Sequence, residues 1–148
     1  LDIVRSYIDV GLQTISLADT AGHAPPRQVE ELYCTIRELY PDIELACHFH
    51  NTYGLGLANC YAALNSGVTC FESAFGGLGG CPFTKLPAGN VCTEDLVHSL
   101  QRMGLRQEIK LDVLLATARQ VGTFFDRELP GFILKSGSIV GFNGQTSV

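Results

Sequence analysis

The sequence predicts an α/β fold with a parallel sheet, on three observations. Apolar runs short enough for strands begin near residues 13, 43 and 68, each followed by a helix-spaced segment, a repeat of about 25 to 30 residues and so the size of a βα unit. Strict alternation of the two patterns argues for right-handed parallel crossovers. Every polar motif (Asp19-Thr20, His48 to Thr52, and the glycine run from Gly76) falls where a strand ends. In parallel α/β folds, sites are built at those ends.

The elements follow in order. Residues 2 to 10 place Ile3, Val4, Tyr7 and Ile8 on one helical face, with Gly11 as a stop. Residues 13 to 18 read as a short buried strand. Gly22 to Pro26 make a loop whose prolines suit a helix's first turn. Val29, Leu32, Tyr33, Ile36 and Leu39 then recur at helical spacing until Pro41 forbids continuation. Ile43 to Phe49 is a second strand, Leu57 to Asn65 a third helix capped by Gly67, and Val68 to Phe75 a third strand. Thr93 reads as an N-cap, with Glu94 and Asp95 in the first turn, where the helix dipole favours acids. A final helix is predicted from about Leu111 to Arg127, stopping before Pro130-Gly131. The tail from Phe132 has no clear period.

Three strands do not close a (β/α)8 barrel, which takes roughly 250 residues. The pattern therefore predicts either a small open sheet or the C-terminal part of a barrel: its last three strands with their helices, plus a C-terminal helix. The abrupt start at Leu1 favours the second, with residues 1–148 as one partial barrel domain. Such a piece would expose a sheet edge and an apolar face and is expected to be unstable or oligomeric on its own.

Composition narrows the partners. The chain has 148 residues, 46% of them apolar, and a formal charge of −5. Its Lys and Arg are scattered, which argues against nucleic acid, and no run of 18 apolar residues suggests a membrane span. The six cysteines form no CxxC pair, and Cys34, Cys47, Cys60 and Cys70 fall within apolar-patterned elements. Reduced thiols in a cytosol-like compartment are the better reading.

Two stretches carry chemistry. Gly76-Gly77-Leu78-Gly79-Gly80-Cys81-Pro82-Phe83 has four glycines in five positions before a single thiol. A flexible arm with a stiff joint after the cysteine suits a mobile element that brings a reactive group over a site. The alternative is an ordinary glycine turn with an inert cysteine. His48 and His50 are two apart on a strand, so both project from one face, and two imidazoles there can share a divalent metal ion. Alternatively, one is a satisfied core histidine and the other a surface residue. Two ligands are too few, and Asn90 is a candidate third if the loop folds it back over the pair. Asp19 is read equally as a metal or substrate group or as a helix N-cap. Glu72 reads as packed or paired structurally.

The motifs together resemble one family. Leu17-Ala18-Asp19-Thr20, His48-Phe49-His50-Asn51-Thr52-Tyr53-Gly54, Leu57-Ala58-Asn59, Gly77-Leu78-Gly79-Gly80-Cys81-Pro82-Phe83, Gly89-Asn90 and Thr93-Glu94-Asp95-Leu96-Val97 are similar in order and spacing to 3-hydroxy-3-methylglutaryl-CoA lyases. These are metal-dependent TIM-barrel enzymes related to isopropylmalate synthases. The Gly-Gly-Cys-Pro-Phe loop belongs to the lyase branch, whereas the two-histidine strand is shared with the synthases.

The resemblance implies a carbon–carbon lyase that splits 3-hydroxy-3-methylglutaryl-CoA into acetyl-CoA and acetoacetate, as in leucine degradation and ketone-body metabolism. It implies His48, His50 and Asn90 as ligands of Mg2+ or Mn2+. The fourth ligand, an Asp of the family's first strand, lies outside this chain. It gives catalytic parts to Cys81 on the mobile loop, to His48 as ligand or base, and to Asp19 in positioning the substrate. The expected partner is an acyl-CoA, the full-length parent a homodimer, and the compartment the cytoplasm, or the mitochondrial matrix in a eukaryote. A lyase for another 3-hydroxyacyl-CoA, a Claisen-condensing synthase and a non-catalytic half-barrel are the competing readings.

Overall fold

The computed structural model describes residues 1–80 and 89–139. In chain order it forms α1 (Asp2–Asp9), β1 (Thr14–Asp19), α2 (Pro26–Leu39), β2 (Glu44–Phe49), α3 (Gly56–Asn65) and β3 (Cys70–Glu72). A 3-10 turn at Phe75–Gly77 leads to α4 (Thr93–Arg102), α5 (Leu111–Phe124) and α6 (Phe132–Ser136). The sheet order is β1-β2-β3, and both pairings are parallel. The α/β class and the parallel order follow the sequence pattern.

The period-2 alternation of β2 divides the sheet into two faces. Leu45, Cys47 and Phe49 point toward the helices, where they join Val29, Tyr33, Ile36, Cys60, Ala63 and Leu96 in one core. Ala46 and His48 stand on the other face, and His50 continues their series. Tyr33 pins α2 to this layer: its hydroxyl donates to the Ala46 carbonyl at 2.8 Å. Burial raises the Tyr33 phenol far above its ordinary range, so it stays a neutral donor. Leu32 and Leu39, expected on the buried face of α2, are 40% and 52% exposed, so the packed stripe is narrower than the apolar one.

Several boundaries differ from expectation, each for a local reason. The third strand was expected over Val68 to Phe75 but ends at Glu72. Beyond His48, the β2 backbone turns its hydrogen bonds to Gly89–Val91 instead. The Val91 amide donates to Phe49 O at 3.0 Å, and the Asn51 amide donates to Gly89 O at 3.1 Å. The α4 cap is Cys92 rather than Thr93, which is already helical; the Thr93 hydroxyl meets Ser73 Oγ at 2.9 Å. Helix α5 stops at Phe124 because Asp126 takes a left-handed φ of 48°, a conformation its short polar side chain tolerates. The tail is not wholly irregular, since α6 forms where Asp95 accepts the amides of Phe132 at 3.0 Å and Ile133 at 2.8 Å.

Candidate functional site

The ends of β2 and β3 and one returning segment meet on the face opposite the helical core, whereas Asp19 at the end of β1 alternates with Ile15 and Leu17 on the core side. From β2, His48 and His50 converge until their Nε2 atoms are 3.2 Å apart. His50 is buried and His48 half-buried. Asn90 comes back from the glycine-rich segment and pairs with His50 in an antiparallel bridge, which places it beside the second histidine. Its Nδ2 donates to Leu78 O at 2.8 Å, while its Oδ1 is buried and accepts no hydrogen bond among the described residues.

The returning segment is held by close backbone contact. A Cβ at Gly89 would fall 1.5 Å from Gly77 O, so only glycine allows the two strands of the loop to touch. Gly77 and Gly79, with Asn90, also line a cleft of about 410 Å3 whose far wall is Leu129 to Phe132.

Asp19, at the end of β1, faces its own loop. Its Oδ1 accepts the His23 amide at 3.1 Å and its Oδ2 the Ala24 amide at 2.8 Å. It is not a helix N-cap, since Pro25 holds that position for α2. Asn59, fully buried on α3, donates to Ala24 O at 2.9 Å and secures the same loop. Asn51 accepts the Gly56 amide at 2.9 Å, closing the turn into α3.

A family model described as HMGL-like matches residues 1–121. The chain belongs to the HMGL-like family. Its curated relatives include the (R)-citramalyl-CoA lyase of Chloroflexus aurantiacus, 39% identical over 93% of this chain and 43% of the relative. The hydroxymethylglutaryl-CoA lyase YngG of Bacillus subtilis is 39% identical over 85% of this chain and 42% of its own length. Among solved structures, an HMG-CoA lyase from A. baumannii, in complex with coenzyme A and 3-methylmalate, superposes with a TM-score of 0.88 at 40% identity. That match covers 95% of this chain and 46% of the solved one. The chain thus spans less than half the length of these relatives. The relatives are carbon–carbon lyases, and mitochondrial members from Homo sapiens and Arabidopsis thaliana are among them. No helix among the described residues is long and apolar enough to cross a membrane.

For this HMGL-like chain, the sequence expectations for His48, His50 and Asn90 land on one cluster. Cys81 lies outside the described residues. Among those residues, no group of three His, Cys, Asp or Glu could hold a metal by itself. The cluster has two imidazoles and a carboxamide.

Two acids that the sequence explained by the helix dipole do more. Glu94 is completely buried, and its Oε2 accepts the Gly76 amide at 2.8 Å and the Cys92 thiol at 2.6 Å. It therefore anchors the root of the glycine loop to α4. Burial, reinforced by the Glu94 contact, pushes the Cys92 thiol well above its ordinary range and keeps it protonated. Asp95, next along, ties the α6 segment to the same turn. Nothing local in the sequence distinguishes these acids from ordinary first-turn residues.

Proposed function

We propose that the protein containing this chain is a divalent-metal-dependent lyase. It cleaves 3-hydroxy-3-methylglutaryl-CoA to acetyl-CoA and acetoacetate by a retro-Claisen reaction. The supporting observation is the His48–His50 pair with Asn90 beside it. Two nitrogens bound to one ion at about 2.1 Å and in neighbouring positions stand roughly 3 Å apart, close to the 3.2 Å seen here. The buried Asn90 Oδ1, without a hydrogen-bond partner, is the oxygen donor that hard cations such as Mg2+ and Mn2+ take. The residues present fit the ion.

When bound, Mg2+ or Mn2+ would polarise the substrate's hydroxyl and carbonyl oxygens as a Lewis acid. His48, His50 and Asn90 would hold it on the sheet face. Asp19, by fixing the β1–α2 loop, positions the substrate's neighbouring wall. The tertiary hydroxyl yields its proton to a base at this face, and the bond to the thioester α-carbon breaks. The acetyl-CoA enolate then takes a proton from the Cys81 thiol. In this reading the three strands belong to a (β/α)8 barrel whose other strands supply a fourth ligand, so residues 1–148 alone would not turn over.

A second reading keeps the chemistry and changes the acyl group, because a relative named (R)-citramalyl-CoA lyase is 39% identical over 93% of this chain. The test is acetyl-CoA release from each thioester by the full-length protein, with Mn2+ or EDTA, and with His50→Ala, Asn90→Ala and Cys81→Ala variants. Turnover of 3-hydroxy-3-methylglutaryl-CoA that needs the ion and collapses in all three variants supports the first reading. Turnover of (R)-citramalyl-CoA alone supports the second. Activity untouched by EDTA refutes both.

A further inference from the structure

Glu72 stands directly beside His48 in the β2–β3 register, so the two side chains leave the sheet on the same face. Its two carboxylate oxygens are both engaged. Oε2 lies 3.2 Å from His48 Nδ1, and Oε1 accepts the Ser16 hydroxyl at 2.6 Å. Ser16 belongs to β1 and Glu72 to β3, so this contact crosses over the whole width of β2. On β2, Ser16 is paired with Ala46 and Glu72 with His48, so the contact runs diagonally past the small side chain of Ala46. The result is one line of contacts across three strands: Ser16, Glu72, His48 and His50.

Stability does not account for that line. The Glu72 side chain is 51% exposed and that of His48 28%, and ion pairs this open contribute about 0–1 kcal/mol at most. The consequence lies in the imidazole. An acceptor beside Nδ1 favours the proton on that nitrogen and leaves the Nε2 lone pair aimed at His50. The Nδ1–Oε2 contact is close but off the line of a directed hydrogen bond. The carboxylate therefore acts by its charge on the Nδ1 side of the ring.

We propose that Glu72 is a positioning residue for His48. It selects the tautomer and ring orientation that present Nε2 to a divalent cation, and Ser16 holds its carboxylate in place. The proposal rests on the reading of His48 as a metal ligand. It adds to that reading a carboxylate–histidine–metal arrangement drawn from three neighbouring strands, and it gives function to an acid that the sequence marks only as structural.

The test measures Mn2+ affinity by titration calorimetry and the visible spectrum of the Co2+ form. It uses the full-length protein and its Glu72→Leu, Glu72→Gln and Ser16→Ala variants. Loss of an outer partner of a ligating histidine typically weakens metal binding about 10- to 100-fold, so Glu72→Leu is expected in that range with an altered Co2+ spectrum. Glu72→Gln, a neutral acceptor of the same length, should show an intermediate loss, and Ser16→Ala a smaller one in the same direction. Wild-type affinity and spectrum in both Glu72 variants would overturn the proposal while leaving the metal reading intact. A wild-type protein that binds no Mn2+ overturns both. If Glu72→Leu does not fold, Glu72→Gln and Ser16→Ala decide by the same criteria.

Discussion

Gly76→Ala is the substitution whose cost can be worked most directly from the structure. Gly76 has a φ of 57°, where a side chain adds about 1–2 kcal/mol of backbone strain. Its new Cβ would also meet Leu129, at 2.4 Å from Cδ1 and 2.5 Å from Cβ. Leu129 is only 2% exposed, and a contact at its Cβ cannot be relieved by swinging the end of the side chain. Overpacking of this kind costs about 1–3 kcal/mol, which brings the total to roughly 2–5 kcal/mol. Gly104→Ala is the control. Its φ is 79°, yet nothing lies within 4 Å of its Cβ, so only the backbone part applies. Urea unfolding of both variants should separate them by about 1–3 kcal/mol at unchanged m-value. Equal costs for the two would refute the claim that Leu129 is packed rigidly onto the root of the glycine loop.

Tyr33→Phe removes the buried hydrogen bond to Ala46 O and should cost about 0.5–1.5 kcal/mol by the same unfolding assay. Asp95→Ala should release α6, read as faster amide hydrogen exchange at Phe132 and Ile133, the two donors it satisfies. Exposed Cys34 and Cys70 should react with a thiol reagent in the folded protein, whereas buried Cys47, Cys60 and Cys92 should react only on unfolding. The buried thiols also give a pH dependence. The folded state holds the protons of Cys47, through its contact with Cys60 and burial, and of Cys92, through burial and Glu94, well above the ordinary thiol value of 9.0. The unfolded chain releases those protons near that value, so it binds fewer than the folded state and stability falls as pH rises past about 9. A pH series of unfolding midpoints that stays flat from 8 to 10 would contradict this.

The difference between what could and could not be read from the sequence is one of range. His48 and His50 were readable because a two-residue spacing on a strand forces one face, whatever surrounds it. The strand ends were readable because glycines, prolines and polar runs punctuate them locally. Asn90 was readable only as a candidate, since its place depends on Gly89 lying against Gly77 and on backbone pairing with His50 across forty residues. Glu94 and Asp95 do stand in the first turn of α4, as the sequence predicts, but their further partners are hidden for the opposite reason. Two acids in a helix's first turn already have a sufficient local explanation, so nothing prompts the search for Gly76 or Phe132 as their real partners. Glu72 follows the same logic across the sheet: its neighbours Ser16 and His48 are 56 and 24 positions away, and only the parallel register makes them adjacent. Local chemistry thus tells which residues could form a site, and register tells which of them stand together. For that reason the sharpest perturbation of this site need not touch a proposed ligand: Ser16→Ala removes the donor that holds the Glu72 carboxylate and leaves the side chains of His48, His50 and Asn90 chemically unaltered.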